Sequence, residues 1–156
     1  MDAKEMLRLL RRSADVAYYK GQMILLGTVT VIFALLAAIC AIATGSPVFW
    51  VVLLPSAVIC VPLILWGIYH LCHIFKNVER YRFFEETMAH PQSAWGRSMY
   101  FVIQLEGRTV ETRAIFHAYG LLAPQFNDYI DQKALIGYND VTEELVVIRK
   151  EPKDWN

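Results

Sequence analysis

The chain has 156 residues, of which 56% are hydrophobic and 19% are charged, and its formal net charge is zero. This composition is typical of a small membrane protein and not of an ordinary soluble domain. Neither the segment up to Lys20 nor the segment from Lys76 has the basic excess of a nucleic-acid-binding protein, so we expect no nucleic-acid partner.

The central feature is a stretch of 55 residues between Lys20 and Lys76 that contains no Asp, Glu, Lys or Arg. It is too long for one span of a ~30 Å hydrocarbon core, which takes about 20 helical residues. A turn-forming Thr-Gly-Ser-Pro cluster interrupts it once, at residues 44–47. We therefore predict a membrane hairpin of two transmembrane helices, near 23–43 and 48–69. A pair of soluble core helices is disfavoured because the rest of the chain is too small to enclose both.

Residues 2–20 have the periodicity of an amphipathic helix, with basic side chains opposite an apolar stripe. The stripe consists of Ala3, Met6, Leu7, Leu10, Ala14, Ala17 and Tyr18. We predict an amphipathic juxtamembrane helix within residues 1–21. Two interpretations stay open and are compatible: the helix lies on an anionic membrane surface, or its stripe packs on the C-terminal domain.

Small residues line both spans of the hairpin, which we assign to residues 22–75. They are Gly27, Ala34, Ala38 and Ala41 in the first span and Ser56, Cys60 and Gly67 in the second. Lipid offers no hydrophobic drive for helices to associate, so close backbone approach through small residues favours packing. We predict that these residues pack the two spans together. A dimer interface is the alternative.

Charge predicts the orientation of the hairpin. The turn at residues 44–47 carries no charge, whereas basic residues flank both outer ends of the spans. These are Arg11, Arg12, Lys20, Lys76, Arg80 and Arg82. Because basic residues are retained on the cytoplasmic side, we expect an integral membrane protein with both termini in the cytoplasm.

The segment after the second span is predicted to continue as a helix to about Met88, which gives a cytoplasmic stalk and linker at residues 76–96. Apolar and charged residues are interleaved there, and the residue before Pro91 is disfavoured in a helix.

Residues 97–156 change to the two-residue alternation of strands and predict a small antiparallel β domain. We expect a strand near 99–105, a turn at residues 107–108 and a return strand over 109–118. A short helix should follow Pro124, and a second hairpin should pair 134–138 with 145–149. The predicted core is Phe101, Ile103, Val110, Phe116, Ile136 and Val147. A core of this size gives only marginal stability by itself. We therefore expect the domain to pack against the stalk, the N-terminal helix or a second copy.

The search for chemical motifs gives no catalytic, cofactor-binding or metal-binding residues. His70, Cys72 and His73 resemble a metal cluster, but no second ligand group stands at a recognised zinc spacing. The three cysteines are expected to be free thiols, and the pairs Glu85-Glu86 and Glu143-Glu144 are interpreted as solvated.

The expected function is that of a membrane-anchored interaction or scaffold module rather than an enzyme. Its partners would be the lipid bilayer and either another protein or a second copy of the chain. The alternative is a membrane-bound small-ligand sensor, whose β domain signals to the transmembrane hairpin. A concave β pocket with convergent polar groups would favour the sensor, and an exposed strand edge would favour the module.

Overall fold

Helices come first along the chain and strands follow. The computed structural model describes residues 2–45, 49–94, 97–105, 107–118 and 123–149, and for residues 49, 50, 52 and 56 it describes the backbone alone. The helices are α1 (Ala3–Arg11), α2 (Ala14–Thr44) and α3 (Phe49–Lys76). The strands are β1 (Tyr81–Thr87), β2 (Pro91–Ser93), β3 (Ser98–Leu105), β4 (Arg108–Glu111), β5 (Phe116–His117), β6 (Lys133–Asn139) and β7 (Glu144–Arg149).

The single helix predicted over residues 2–20 is instead broken between α1 and α2. Ser13 has extended backbone angles there, and its side chain accepts a hydrogen bond from the backbone N–H of Val16 at 3.2 Å, which caps α2. The same residue forms an isolated antiparallel bridge with Ile148 of β7. The buried Leu10 of α1 packs in a cluster with residues of the β domain. The apolar face of α1 therefore packs on the C-terminal domain, as one of the two interpretations expected.

Two long apolar helices, α2 and α3, pack side by side. Both are long and apolar enough to cross a membrane, judged by length and composition, and little of either is buried within the chain. Three residues with large exposed fractions are Ile39 at 61%, Ile42 at 86% and Val58 at 69%. The cysteines Cys40, Cys60 and Cys72 are free.

The contact between α2 and α3 uses only part of the predicted small-residue stripe. Cys60 and Gly67 are buried, Gly27 and Ala41 are half-buried, and Ala34 and Ala38 are exposed. The side chain of Ser56 is outside the described part of the structure. Ala37 is 2% exposed, so the face that α2 turns inward is offset by one residue from the prediction. A Cβ added to Gly67 would lie 3.3 Å from Cγ of Met23, which marks close approach of the two helices.

The helical stalk predicted over residues 76–88 is wrong. Helix α3 ends at Lys76, a single 3₁₀ turn covers Val78–Arg80, and β1 begins at Tyr81. β1 pairs antiparallel with β6 along its whole length, and Phe83 lies opposite Gly137. Residue 137 has no room for a side chain, because a Cβ would lie 2.8 Å from Val146 and 2.9 Å from Phe83. Residues 81–93 thus contribute β1 and β2 to the sheets of the β domain.

The β domain consists of two antiparallel sheets with a shared core. The first has the order β1–β6–β7, and in the second β3 pairs with β2, β4 and β5. Most of the predicted core is confirmed: Phe101, Ile103, Phe116, Ile136 and Val147 are buried, and Val110 packs against them half-buried. Ala14 of α2 belongs to the same core.

The predicted hairpins are confirmed in outline and corrected in detail. β6 and β7 form the second hairpin as predicted, with Asn139 opposite Glu144. In the first hairpin Arg108 already lies opposite Leu105, so the turn falls one residue earlier than predicted. The return strand predicted over 109–118 is two short strands, β4 and β5. After Pro124 the expected helix is a single 3₁₀ turn at Phe126–Asp128.

The first sheet lies between the second sheet and the helices. One of its faces contributes Tyr81 and Val146 to a buried cluster with Leu10, Tyr19 and Ile74. Tyr19 is on the second turn of α2 and Ile74 is on the last turn of α3. The sheet is therefore docked on the charged ends of the two long helices, where the site described below is found.

Substitution at two adjacent alanines tests the helix contact. Ala37→Leu should lower the thermal stability of the full chain in detergent, because a larger side chain in a packed contact costs about 1–3 kcal/mol. Ala38→Leu is the matched control and should change stability by less than about 0.5 kcal/mol, since Ala38 is exposed. The opposite order of the two effects would show that the contact face is the predicted stripe.

Candidate functional site

A buried carboxylate lies where the helices meet the β domain. Glu144 is the first residue of β7, and its side chain is only 5% exposed. Burial of an ionised carboxylate is costly unless charged and hydrogen-bonded partners surround it. Glu144 has such partners from several elements of the fold, which makes it the centre of the site.

The partners of Glu144 come from α3, from β1 and from the loop between β4 and β5. Arg113 donates from Nη1 to Oε1 at 2.6 Å. His73 of α3 places Nδ1 2.9 Å from Oε2, and the hydroxyl of Tyr81 donates to Oε2 at 3.3 Å. His70, one helical turn before His73, has Nδ1 3.9 Å from Oε1. One side chain of the sheet is thus held by the end of α3 and by a loop of the second sheet.

Glu143 lies in the turn between β6 and β7, whereas its neighbour Glu144 begins β7. Asn139 Oδ1 accepts hydrogen bonds from the backbone N–H groups of Val141 and Thr142, at 3.1 and 3.4 Å. Glu143 has a positive φ of 53°, and its side chain is 73% exposed. The pair interpreted as solvated therefore divides: Glu143 is in solvent, and Glu144 is buried. The interpretation was wrong for Glu144.

A second buried acid, Asp15, holds the start of α2 against the same sheet. Asp15 is 1% exposed, and its Oδ2 accepts a hydrogen bond from the backbone N–H of Val147 at 3.0 Å. It lies on the first turn of α2, before the uncharged stretch begins. Together with the bridge from Ser13 to Ile148, this bond covers the outer edge of β7. No local sequence pattern indicates this contact, because its partners are 132 residues apart.

Burial governs the protonation of Asp15. Desolvation raises the pKa of its carboxyl from 3.8 to about 7. Backbone N–H groups, including that of Val147, and the charge of Arg113 oppose this rise, but burial outweighs them. Burial also raises the pKa of the Tyr19 and Tyr81 hydroxyls, which therefore stay neutral. Burial thus brings the pKa of the Asp15 carboxyl close to neutral pH.

Aromatic rings form the side of the junction that faces the long apolar part of α2 and α3. Tyr19 stacks on the ring of His70 with centroids 5.3 Å apart and planes 3° apart. Trp66 meets both rings edge-on, at 5.6 and 4.5 Å. A cavity of about 10 Å³ is lined by the rings of Tyr19 and His70 and by Asp15 and Glu144. It has room for one water molecule. The junction is therefore a packed polar cluster and not an open pocket.

The contacts of this cluster are ion pairs and hydrogen bonds. Cys72 is exposed, whereas both His70 and His73 approach Glu144. Among the described residues, no group of three or more His, Cys, Asp and Glu is placed to hold a metal ion. What the cluster can do is bind the helix ends to the sheet and make that attachment sensitive to charge. We call Asp15, His70, His73, Arg113 and Glu144 the junction cluster.

A larger concave feature lies elsewhere, at the open edge of the first sheet. This cleft of about 460 Å³ is formed by β1, the end of β3 and the end of β6. Its walls are apolar at Phe84, Leu105 and Tyr138. An exposed ion pair stands at its rim, with Arg82 Nη2 3.3 Å from Asp140 Oδ2. We call it the edge cleft.

Adjacent glutamates give a matched test of the junction cluster. Glu144→Ala should destabilise the full chain by about 2–3 kcal/mol, because it leaves Arg113 and His73 without their acceptor. This is less than a fully buried pair would cost, since the Arg113 side chain is 43% exposed. Glu143→Ala should have an effect below about 0.5 kcal/mol. Equal losses in thermal unfolding would contradict a central role for Glu144.

Asp15→Asn should remove a pH dependence from the stability of the protein. The folded-state pKa of Asp15, about 7, lies above the unfolded value of 3.8. Stabilisation by the neutral carboxyl is therefore complete below about pH 4 and is lost as the pH rises through 7. Between pH 5 and pH 8 the wild type should lose on the order of 2 kcal/mol more than Asp15→Asn.

Thermal unfolding of the full chain in detergent at several pH values measures this difference. Asp140→Asn is the control, since Asp140 is half-exposed at the surface. It should leave the pH profile of the wild type unchanged. A constant difference between wild type and Asp15→Asn across the range would show that Asp15 does not titrate there.

Comparison with known proteins gives no family for this chain. No protein-family model, no curated protein and no solved structure matches it. Function is therefore inferred from the two long apolar helices, the junction cluster and the edge cleft.

Proposed function

We propose that α2 and α3 cross a membrane and that the chain is a membrane-anchored interaction or scaffold module. The observation that carries this proposal is the apolar surface of the two helices beyond the β domain. Large apolar side chains at least half exposed include Ile24, Leu25, Val31, Ile32, Leu35, Leu36, Val51, Leu54, Ile59 and Leu65. A soluble protein rarely exposes a contiguous apolar surface of this extent, whereas a bilayer would cover it.

The chemistry of the helices suits hydrocarbon. Within a helix the central backbone N–H and C=O groups are bonded internally, as a membrane span requires, and in α3 only Pro55 and Pro62 lack an N–H for this pattern. The polar hydroxyls of Thr28, Thr30 and Thr44 each donate to the carbonyl four residues earlier, at 2.7–2.8 Å. These three hydroxyls thus have partners within their own helix, which lowers the cost of placing them in lipid.

Charge supports a cytoplasmic β domain. Lys20 and Lys76 stand at the same end of the hairpin as the junction cluster, and the turn end carries no charge. By the positive-inside rule both termini and the β domain lie in the cytoplasm. The basic face of α1 would then lie close to the lipid headgroups, where anionic lipids attract it.

The module interpretation is supported by the way the β domain is attached. Contacts of Glu144 with α3 and of Asp15 with β7 fix the first sheet on the helix ends. A domain held in this way keeps one orientation at the membrane surface, which reduces the entropy lost when a partner binds. Among the described strands, only β6 pairs with β1, so the outer edge of β1 is available for strand addition.

A small-ligand sensor is the second candidate, and the edge cleft favours it. Its volume of about 460 Å³ is within the range of small-molecule sites, about 300–1,000 Å³. The cleft is formed partly by β1, which follows α3 directly, and Tyr81 of β1 bonds to Glu144. A ligand there would have a short route to the junction cluster. A small molecule that copurifies with the intact protein would favour this candidate over the module.

Cysteine labelling tests the anchor and its orientation. In a variant with Cys40, Cys60 and Cys72 replaced by Ala, a membrane-impermeant maleimide added to intact cells should label Ser46→Cys but not Ser93→Cys. Ser93→Cys should react once the membrane is permeabilised, which controls for its accessibility. The reverse pattern would refute the orientation. Release of the protein from membranes by alkaline carbonate would refute the anchor itself.

A further inference from the structure

The outer edge of β1 is open in the described part of the chain. The first sheet ends at β1, and β6 is the one described strand that pairs with it. The opposite edge of the sheet is covered, because Ser13 and Asp15 contact Ile148 and Val147 of β7. An uncovered strand edge has a row of N–H and C=O groups ready to pair with another strand.

The sequence of β1 is complementary to itself in one antiparallel register. If Phe84 lies opposite Phe84 of a second copy, Arg82 lies opposite Glu86 of that copy, and Glu86 lies opposite its Arg82. Opposite charges and aromatic pairs directly across from each other stabilise a sheet. One register therefore gives two ion pairs around a central aromatic pair.

The neighbouring registers are less favourable. In a symmetric antiparallel pair, the two copies of one central residue face each other across the two-fold axis, and facing side chains point to the same side of the sheet. The two neighbouring registers therefore have Phe83 or Glu85 as the central residue. A centre at Glu85 brings two glutamates face to face, which is repulsive. A centre at Phe83 puts Arg82 opposite Phe84 and loses both ion pairs. Charged side chains on an edge normally prevent pairing, but here their order favours one partner.

The position of the sheet allows this pairing in a membrane. A two-fold axis that relates two antiparallel edge strands runs perpendicular to the sheet. One face of the first sheet packs on the ends of α2 and α3 through Tyr19 and Ile74, and the other faces the second sheet. The axis therefore points from the second sheet towards the helices. In a dimer with this axis, the helix ends of both copies lie on the same side of the joined sheet, as insertion into one bilayer requires.

We propose that the partner of the β1 edge is a second copy of this chain, with Phe84 opposite Phe84 of that copy. The three-stranded first sheets of the two copies then form one six-stranded sheet. The pairing is isologous, so the assembly closes as a dimer. This inference rests on the proposed membrane anchor, because the anchor orients both copies alike. It names the partner that the module would bind.

Disulfide crosslinking in membranes tests the register. In the variant without Cys40, Cys60 and Cys72, Phe84→Cys places two thiols across the two-fold axis, with Cβ atoms about 4.5–5.5 Å apart. Copper–phenanthroline oxidation should then give a disulfide-linked dimer. Glu86→Cys is the matched control and should give none, because its copies would be about 13 Å apart along the strands. Membrane-bound Phe84→Cys that stays monomeric would overturn the proposal.

Charge exchange gives a second test at exposed positions, independent of whether Phe84→Cys folds. Light scattering of the full chain in detergent should show a wild-type dimer. Glu86→Arg should weaken dimerisation about tenfold, because two symmetric ion pairs become repulsive. The double variant Arg82→Glu with Glu86→Arg should restore the dimer. Glu111→Arg, an equal charge change on exposed β4, is the control and should have no effect.

The outcomes separate this inference from the anchor on which it rests. Resistance to carbonate extraction together with a monomeric wild type would overturn the dimer and leave the anchor intact. A dimer that survives Glu86→Arg unchanged would overturn the β1 interface. Carbonate release of the protein would instead refute the anchor, and the crosslinking result would then decide whether β1 pairs without it.

Discussion

Burial of the Glu144 carboxylate is the interaction on which the arrangement of helices and sheets depends. One carboxylate accepts hydrogen bonds from a loop of the second sheet and from β1, and it also contacts two histidines of α3. A buried charge tolerates only a geometry in which its partners are present. The cluster therefore specifies how the β domain docks. Separation of the domain from the helix ends would expose these charges or leave them without partners.

Asp15 complements Glu144 from the other helix. It covers the edge of β7 with a hydrogen bond to Val147, and its neighbour Ser13 extends the contact to Ile148. The first turn of α2 is thus part of the β domain, although the same helix, 31 residues long in all, continues into the long apolar pair. Because both long helices end in buried polar contacts with one sheet, a change of charge at the junction can affect the helices and the domain together.

The docked sheet also gives the small β domain apolar contacts with the helices. Its core includes Ala14 from α2, and its other sheet face is covered by Leu10, Tyr19 and Ile74. A fragment that begins at residue 97 lacks all four residues and the whole of β1. The core of the domain and the covered face of its first sheet therefore both include residues from the N-terminal half of the chain.

The sequence by itself determined the two long apolar helices, the antiparallel β domain and most of its core. These follow from local patterns, namely an uncharged stretch of fixed length and the alternation around residues such as Phe101 and Ile136. Tertiary structure decided the rest. The spacing of charged residues in 81–87 is compatible with a helix. The segment forms a strand because β6 pairs with it along its whole length, with Gly137 leaving room for the side chain of Phe83. Glu144 looked solvated beside Glu143, and only the convergence of Arg113 and His73 makes its burial tolerable, because contacts between residues so far apart leave no local pattern.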